Sequence, residues 1–204
     1  MSPAPKIGVL ALQGGVREHA EVLASVGADV VLVRRPAQLE GLEALVLPGG
    51  ESSAIDKLLR IFELRDPIRA LIAEGLPVLG TCAGLILLAD RILDAAPGQQ
   101  QLGGLDATVR RNAFGAQNQS FEIALEAPEV ASTPVHAVFI RGPLVEELGP
   151  GARPIATLPD GRVVGIAQGA LMGVAFHPEL AGEDRFHRRL IELALERRGD
   201  AAER

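Results

Sequence analysis

The single cysteine of this chain, Cys82, stands in the segment Gly80-Thr81-Cys82-Ala83-Gly84, after a short aliphatic run and before residues at helical spacing. Glycines on both sides permit a sharp turn from a strand into a helix, which lifts a nucleophilic side chain above the sheet. The N-terminus of such a helix favours a thiolate and presents backbone N–H groups to a developing oxyanion. The segment therefore indicates a cysteine nucleophile. A buried structural cysteine is the alternative, since free cysteines are among the most buried residues.

A thiolate nucleophile needs a base, and His177 is the best placed of the four histidines. It directly follows an aliphatic run, so we expect it at the end of a strand. Active sites of open α/β sheets lie beyond the carboxyl ends of the strands, where His177 and Cys82 can meet. Glu179, two residues further on, is the candidate that orients the imidazole. The other three histidines are interpreted as lying outside the site: His19 and His187 as solvated residues on helix surfaces, and His136 as a loop or strand-edge residue.

A glycine-rich turn, Pro48-Gly49-Gly50-Glu51, also follows a predicted strand. Its glycines let backbone N–H groups approach a ligand, and the helix that follows favours an anionic group at its N-terminus. Taken alone the turn is a weak signal, because most turns from strand to helix contain glycine. It lacks the Lys-Ser/Thr pair of a Walker loop, and the turn Gln13-Gly14-Gly15 lacks the dinucleotide fingerprint. No histidine pair has the spacing of a metal-binding helix, so we expect no metal and no cofactor.

The elements that carry these residues alternate between aliphatic runs and helical spacing from Ile7 to about Leu93, as in parallel strands joined by crossover helices. After Asp94, apolar and polar residues alternate, which is typical of antiparallel strands. The sequence predicts a three-layer α/β domain with a β-rich second half. The predicted strands are Ile7 to Leu12, Asp29 to Val33, Ala44 to Leu47, Pro77 to Gly80, Ala107 to Arg111, Phe121 to Leu125, Ala137 to Ile140, Ile155 to Leu158, Arg162 to Ala167 and Leu171 to Phe176. The predicted helices follow Gln13-Gly14-Gly15, follow Glu51, begin at Asp66-Pro67, run from Gly84 to Leu93, and run from about Asp184 to a stop at Gly199.

Composition limits the class of protein further. The chain has 204 residues, which suits one domain over residues 1–204 and is too short for a two-domain dehydrogenase. A net charge of −6 and the lack of Trp and Tyr disfavour nucleic acid, which needs a basic field or stacking platforms. No apolar run reaches the roughly 18 residues of a membrane helix. One cysteine and no signal peptide suit a reducing cytoplasm, and residues 1–5 and about 199–204 are expected to be frayed.

A cysteine elbow, a distant His-Pro-Glu and a Pro-Gly-Gly turn at a strand end together resemble the class I, or triad, glutamine amidotransferases. The Leu-Gln-Gly opening with Val-Arg-Glu-His, and a Phe-Ile-Arg block, resemble more narrowly the glutaminase subunits of two-component pyridoxal 5′-phosphate synthases. The similar blocks are Gly8 to Gly14, Val16 to His19, Arg35-Pro36, Leu47 to Ser52, Gly80 to Leu85, Arg111-Asn112 with Phe114-Gly115, Ser120 to Glu122, Val138 to Arg141 and Phe176 to Leu180. They cover nearly the whole chain, and the departures are confined to the termini and a Gln-rich stretch near residue 100.

The resemblance implies a three-layer α/β/α, flavodoxin-like fold with a mixed, mostly parallel central sheet and extra antiparallel strands in the second half. It implies that Cys82 attacks the side-chain amide carbon of L-glutamine. His177 would act as general base and then as proton donor to ammonia, while Glu179 holds the imidazole. The backbone N–H groups of Gly50 and Ala83 are the candidates for the oxyanion hole. By the family pattern, the residues that contact glutamine are Gly49, Gly50, Glu51, Arg111, Ile140 and Arg141. The neighbouring Arg110 is interpreted instead as a salt-bridged surface residue.

The resemblance also implies a partner, because ammonia released into water is lost to protonation. In the family this partner is a (β/α)₈-barrel synthase that builds pyridoxal 5′-phosphate, and the glutaminase is nearly inactive until the partner orders its oxyanion hole. Gln13 is a plausible relay in that activation. Three alternatives stay open: a glutaminase serving histidine or purine synthesis, a cysteine hydrolase or stress protein of the same α/β superfamily, and a binding module with a buried thiol.

Overall fold

The computed structural model describes residues 3–113 and 120–202. The block Phe114-Gly115, singled out above, lies outside the described residues. No helix of the described part is long and apolar enough to cross a membrane. The strands are β1 (Lys6–Leu10), β2 (Asp29–Val33), β3 (Ala44–Leu47), β4 (Val78–Thr81), β5 (Ala89–Leu93), β6 (Leu105–Arg110), β7 (Phe121–Leu125), β8 (Val135–Phe139), β9 (Leu144–Leu148), β10 (Arg153–Thr157), β11 (Val163–Gln168) and β12 (Leu171–Val174). The α-helices are α1 (Val16–Ser25), α2 (Ser52–Ile61), α3 (Arg65–Ala73), α4 (Ala83–Leu88) and α5 (Arg185–Ala202).

Seven strands form the central sheet, in the order β10-β11-β12-β4-β3-β1-β2. The five strands from β12 to β2 run parallel, whereas β10, β11 and β12 pair antiparallel. Strand β4 therefore lies between β3 and β12. Because parallel strands end at the same edge of a sheet, the residues that follow β1, β3, β4 and β12 are brought to one carboxyl edge. The mixed, mostly parallel sheet confirms the predicted fold class.

Helices cover both faces of this sheet and make it the middle of three layers. Helices α1 and α5 contact each other on one face, where α5 packs on β3 and β4. Helix α4 packs on β3, β4 and β12 and contacts α2. Strands β3, β4 and β12 are buried along their whole length, which explains their aliphatic composition.

The second half adds two small sheets beside the main one. Strands β5, β6 and β9 form a three-stranded sheet, in which β5 pairs parallel and β9 antiparallel to β6. Strands β7 and β8 form an antiparallel pair. These sheets bring the residues that follow β6 and β8 to the carboxyl edge of the main sheet, where both groups line one cavity. The β-rich second half thus completes a site that the parallel sheet begins.

Several predicted boundaries were wrong, and each error has a local cause. The helix predicted from Gly84 to Leu93 ends at Leu88, because the backbone of β5 pairs with β6 and the Leu87 carbonyl accepts N–H groups from residues 102 and 103. Helix α3 begins at Arg65 rather than at Asp66-Pro67, and its N-cap is Leu64. Strand β9 was not predicted, because its sequence Leu-Val-Glu-Glu-Leu does not alternate between apolar and polar residues.

The last helix also differs from its prediction. Gly199 does not stop α5, which continues to Ala202. No atom of the described structure lies within 4 Å of a Cβ built on Gly199, so this exposed position tolerates either glycine or a larger residue. In the last turns of α5, Arg198 ion-pairs with Glu43 and donates a hydrogen bond to the Pro3 carbonyl at 3.0 Å. These contacts tie the end of α5 to the first residues of the chain.

Candidate active site

The turn at Cys82 joins β4 to α4 with a backbone that few side-chain-bearing residues adopt. Cys82 has φ 48° and ψ −100°, and α4 begins at the next residue, Ala83. A non-glycine residue at positive φ is strained, and such strain concentrates at functional sites. Space is equally tight: a Cβ on Gly84 would lie 2.1 Å from the Leu47 carbonyl oxygen, and one on Gly80 would lie 2.6 Å from Gly84. The two glycines let the elbow pack directly against β3.

His177 follows β12 and meets Cys82 across the boundary between β12 and β4. Its Nδ1 lies 2.8 Å from Glu179 Oε1, and its backbone N–H donates to the Val138 carbonyl at 2.8 Å. Burial alone would lower the pKa of His177, but hydrogen bonds and charge interactions with Cys82 and Glu179 outweigh it and raise this pKa to about 10. An imidazolium between a thiol and a carboxylate is suited to stabilise a thiolate and to give a proton to a leaving group.

The glycine-rich turn after β3 is held from two sides. The Gly49 N–H donates to Thr81 Oγ1 at 3.0 Å, and the Gly49 carbonyl accepts from the Gly15 N–H at 3.1 Å. Because a trans peptide directs its C=O and N–H to opposite sides, the Gly50 N–H points away from Gly15. Gln13 contacts the same turn, since its Oε1 accepts from the Glu51 N–H at 2.8 Å.

Gly49 also approaches the imidazole closely. A Cβ built on it would lie 2.3 Å from His177 Cε1 and 3.4 Å from Cys82 Cβ. Any side chain at this position would displace the histidine ring. The glycine is therefore required by the packing of the turn against the histidine, in addition to any role of its N–H group.

A cavity of about 500 Å³ opens above Cys82 and is within the usual size range of small-molecule sites. Its lining residues come from the ends of β1, β3, β4, β6, β8 and β12. They are Gln13, Gly50, Glu51, Ser52, Cys82, Ile86, Arg111, Asn112, Ile140, Arg141 and His177. Three of the predicted site residues do not line the cavity: Gly49, Ala83 and Glu179. Among the described residues, no group of three or more His, Cys, Asp or Glu could hold a metal ion.

Charged groups of both signs face the cavity. Arg111 Nη2 lies 2.8 Å from Glu51 Oε1, and Arg111 Nη1 donates to Gln99 Oε1 at 2.9 Å. Burial opposes ionisation of Glu51, but hydrogen bonds from the helix start at Ser53 and the charge of Arg111 keep its pKa below the usual value. Arg141 has φ 47° and is exposed at the cavity, and no described carboxylate pairs with its guanidinium.

Two residues beside the cavity, Gln99 and Arg110, differ from what the sequence suggests of them or match it, respectively. Gln99 belongs to the Gln-rich stretch that departs from the family pattern, yet its Nε2 donates to Ser52 Oγ at 3.0 Å while its Oε1 accepts from Arg111. Arg110, interpreted as a surface residue, is salt-bridged to Asp94 and Glu146 and does not line the cavity. Adjacent residues at the end of β6 thus face opposite environments.

The interpretation of His19 and His187 as solvated residues was wrong. Both side chains are fully buried, and His19 Nδ1 lies 2.8 Å from His187 Nε2 where α1 meets α5. The sequence carried a signal for this: His19 lies four residues before the buried Leu23, and His187 lies three before the buried Leu190. Such spacing places each histidine on the apolar face of its helix. His136 is a residue of β8, as expected for a strand edge, and pairs with Glu122 across the two-stranded sheet at 2.8 Å.

The fold and the site together define a class I glutamine amidotransferase. A solved structure titled as a glutamine amidotransferase superposes with a TM-score of 0.86 at 46% identity, covering 92% of this chain and 98% of that one. A protein of Thermoplasma acidophilum, titled as part of a putative GMP synthase, has a TM-score of 0.69 at 21% identity, covering 99% of this chain and 100% of the other, and shows the fold alone.

The sequence comparisons narrow this class. The chain belongs to the SNO glutamine amidotransferase family, whose model matches residues 9–196. A protein of Leifsonia xyli subsp. xyli named pyridoxal 5′-phosphate synthase subunit PdxT is 59% identical over 187 residues, which cover 92% of this chain and 94% of that protein. A protein of the same name from Clavibacter sepedonicus is 57% identical, over 93% of this chain and 90% of its own length.

The buried histidines predict a pH-dependent stability difference. Burial lowers the pKa of His187 to about 4, although Asp184 and Glu183 oppose the shift, so the folded protein keeps it neutral while the unfolded chain binds a proton below about 6.5. Stability from a group with a lowered pKa is lost as the pH falls from 6.5 towards 4. We expect His187→Phe to be less stable than wild type at pH 7.5, and its deficit to shrink by about 1 kcal/mol at pH 5.5.

Urea unfolding of both proteins at the two pH values measures this difference. The comparison cancels the contributions of His177 and of the carboxylates, which are common to both chains. A deficit that does not change with pH contradicts a buried neutral His187. The variant His136→Gln, at an exposed position, serves as the control for a histidine outside the core.

Proposed function

We propose that this chain hydrolyses L-glutamine to L-glutamate and ammonia, and that it delivers the ammonia to a pyridoxal 5′-phosphate synthase subunit. The reaction is supported by one observation above the others: His177 lies between Cys82 and Glu179 at the floor of a cavity with charged walls. The destination of the ammonia is supported by the relatives named pyridoxal 5′-phosphate synthase subunit PdxT, at 52–59% identity over most of the chain. The acceptor is proposed to be a (β/α)₈-barrel enzyme, and the setting the cytoplasm.

In the proposed mechanism, the Cys82 thiolate attacks the side-chain amide carbon of glutamine, and the carbonyl π electrons move onto oxygen. The backbone N–H groups of Gly50 and Ala83 stabilise this oxyanion. His177 gives its proton to the amide nitrogen as the C–N bond breaks, so that ammonia leaves and a thioester remains. Water, deprotonated by His177, attacks the thioester and releases glutamate and the thiolate. Glu179 keeps the imidazole oriented through both steps.

Recognition of glutamine is proposed to use charges on the cavity wall. Free glutamine carries an α-carboxylate and an α-ammonium group, so it needs a cation and an anion at a fixed separation. Arg141, with no described carboxylate partner, is the better candidate for the α-carboxylate, and Glu51 is the candidate for the ammonium group. Arg111 holds Glu51 in place, and Ile140 provides an apolar contact at the cavity wall.

Two alternatives receive less support. The first is a glutaminase for purine synthesis. The structural neighbours of this chain that suggest it are only 21% and 16% identical, so they support the fold and not the identity of the acceptor. A cysteine hydrolase or stress protein of the same superfamily would lack the His-Pro-Glu arrangement, whereas here Glu179 contacts His177 at 2.8 Å.

The first test compares wild type with Cys82→Ala in the presence of the cognate synthase, a pentose phosphate and a triose phosphate. Cys82→Ala should lose glutamine-dependent pyridoxal phosphate formation at least about a thousandfold, because the thioester cannot form. Added ammonium salt should restore synthesis, since the acceptor enzyme is intact. His136→Gln should behave as wild type. Retained glutamine-dependent synthesis in Cys82→Ala would refute the proposed reaction, and glutamate release without pyridoxal phosphate would refute the acceptor.

The binding residues are tested by the pair Arg141→Gln and Arg110→Gln. Both replacements remove one guanidinium from the carboxyl edge, but only Arg141 lines the cavity. We expect Arg141→Gln to raise KM for glutamine about tenfold or more, because a charge-assisted hydrogen bond to the α-carboxylate is lost. Arg110→Gln should leave KM unchanged in the same steady-state assay. Equal KM values for the two variants would count against carboxylate binding by Arg141.

Gln13 is proposed to transmit the docking of the partner to the oxyanion turn. Its side chain holds the Glu51 N–H, and a Cβ on Gly50 would lie only 2.3 Å from its Oε1, so a movement of Gln13 shifts the turn. We expect Gln13→Ala to reduce synthase-stimulated glutaminase activity while Cys82 stays reactive to iodoacetamide. The exposed Gln100→Ala, away from the cavity, is the control. Unchanged stimulation in Gln13→Ala means that Gln13 is no relay.

A further inference from the structure

Behind Glu179, on the side away from the cavity, lies a polar cluster that the proposed reaction does not use. It consists of His19 from α1, His187 from α5 and Thr81 at the end of β4. His19, His187 and Thr81 have no exposed surface. Buried polar groups are costly unless they are hydrogen-bonded, so the partners of these atoms decide what the cluster does.

His19 contacts the carboxylate of Glu179 through the oxygen that His177 leaves open. Glu179 Oε1 lies 2.8 Å from His177 Nδ1, whereas Oε2 lies 3.4 Å from His19 Nε2. No donor of the described residues makes a regular hydrogen bond to Oε2. A buried carboxylate oxygen without a nearby N–H group would be strongly destabilised, and the His19 ring supplies such a group.

The same nitrogen of His19 also reaches the oxyanion turn. Nε2 lies 3.0 Å from Thr81 Oγ1, and Thr81 Oγ1 accepts the Gly49 N–H at 3.0 Å. Thr81 directly precedes Cys82, and Gly49 packs against the His177 ring. One ring nitrogen thus lies between the carboxylate that orients the base and the hydroxyl that holds the turn.

The contacts of His19 with Glu179 and Thr81 indicate which of its nitrogens carries the proton. Burial lowers the pKa of His19 to about 3, against the charge of Glu179, so the ring is neutral and has a single N–H group. An N–H at Nε2 faces Glu179 Oε2 and Thr81 Oγ1, and Nδ1 then accepts from His187 Nε2 at 2.8 Å. The opposite tautomer would direct a lone pair at the carboxylate. This assignment follows from the hydrogen-bond network.

We propose that His19 is a positioning residue of the glutaminase reaction: its Nε2–H donates to Thr81 Oγ1 and faces Glu179 Oε2 at 3.4 Å, and so couples the triad carboxylate to the oxyanion turn. The inference rests on the proposed function. Without this N–H, the Glu179 carboxylate is free to rotate, and both the His177 ring and the Gly49 turn lose a fixed support. Such a loss affects the chemical step more than the binding of glutamine, because the cavity wall is unchanged.

A purely structural role for His19 makes a different prediction. If the histidine pair only fills the space between α1 and α5, removal of either ring lowers stability and activity together. His187 provides the matched comparison, since it is equally buried and shares the same hydrogen bond but touches neither Glu179 nor Thr81. A glutamine at position 19 provides the conservative variant, because its amide N–H can reach the place of Nε2.

The test uses the full chain with its cognate synthase and the variants His19→Leu, His19→Gln and His187→Phe. We expect His19→Leu to lower kcat for glutamine hydrolysis at least tenfold while KM changes less than twofold. His19→Gln should keep kcat within threefold of wild type. His187→Phe should lose clearly less kcat than His19→Leu at a comparable loss of stability in urea unfolding.

Three results would overturn the proposal: an unchanged kcat in His19→Leu, no rescue by His19→Gln, or equal losses in His19→Leu and His187→Phe. If His19→Leu does not fold, Thr81→Val and Thr81→Ser replace it, and the proposal then requires a loss of kcat in the valine variant that serine restores. Failure of the proposed function is seen separately, when the variant Cys82→Ala hydrolyses glutamine as fast as wild type does.

Discussion

The backbone of Cys82 turns from β4 into α4 at φ 48°, and the packing of this turn constrains its whole surroundings. Gly84 must be glycine because a Cβ on it would collide with the Leu47 carbonyl oxygen. Gly80 must be glycine because a Cβ on it would collide with the backbone of Gly84. The elbow is therefore pressed against β3 and cannot move without moving that strand. Strain of this kind persists only where the surrounding structure over-determines it. The fully buried central strands supply that rigidity.

The second constraint is the carboxylate of Glu179, which contacts two histidines, one protonated and one neutral. His177, beside the cavity, has its pKa raised to about 10, whereas His19, behind the carboxylate, has its pKa lowered to about 3. Burial disfavours the charged form of both rings. It is the dominant effect at the fully buried His19, whereas hydrogen bonds and charge interactions with Cys82 and Glu179 outweigh it at His177. His177 has Cys82 as well as Glu179 beside it, while His19 faces His187. One buried negative charge is thereby shared between a charged and a neutral imidazole.

Much of the fold could be predicted because its signals are local. Strands β2, β3 and β7 begin and end where the aliphatic or alternating pattern predicted. The prediction for the segment after α4 failed because Ala89–Leu93 suits a helix as well as a strand, and the pairing of β5 with β6 decided between them. Gln99 shows the same limit at the site: nothing in a Gln-rich stretch indicates that one side chain will bridge Ser52 and Arg111.

The sequence by itself determined the types of the reactive groups and the strand ends on which they stand, because glycines flanking a lone cysteine and a histidine after an aliphatic run are local patterns. Only the tertiary structure decided which groups meet. Strand order placed β12 beside β4, and so His177 beside Cys82. The packing of α1 against α5 buried His19 and His187, which charged neighbours in sequence had suggested were solvated. Burial depends on what covers a helix face, and that covering comes from residues more than 160 positions away.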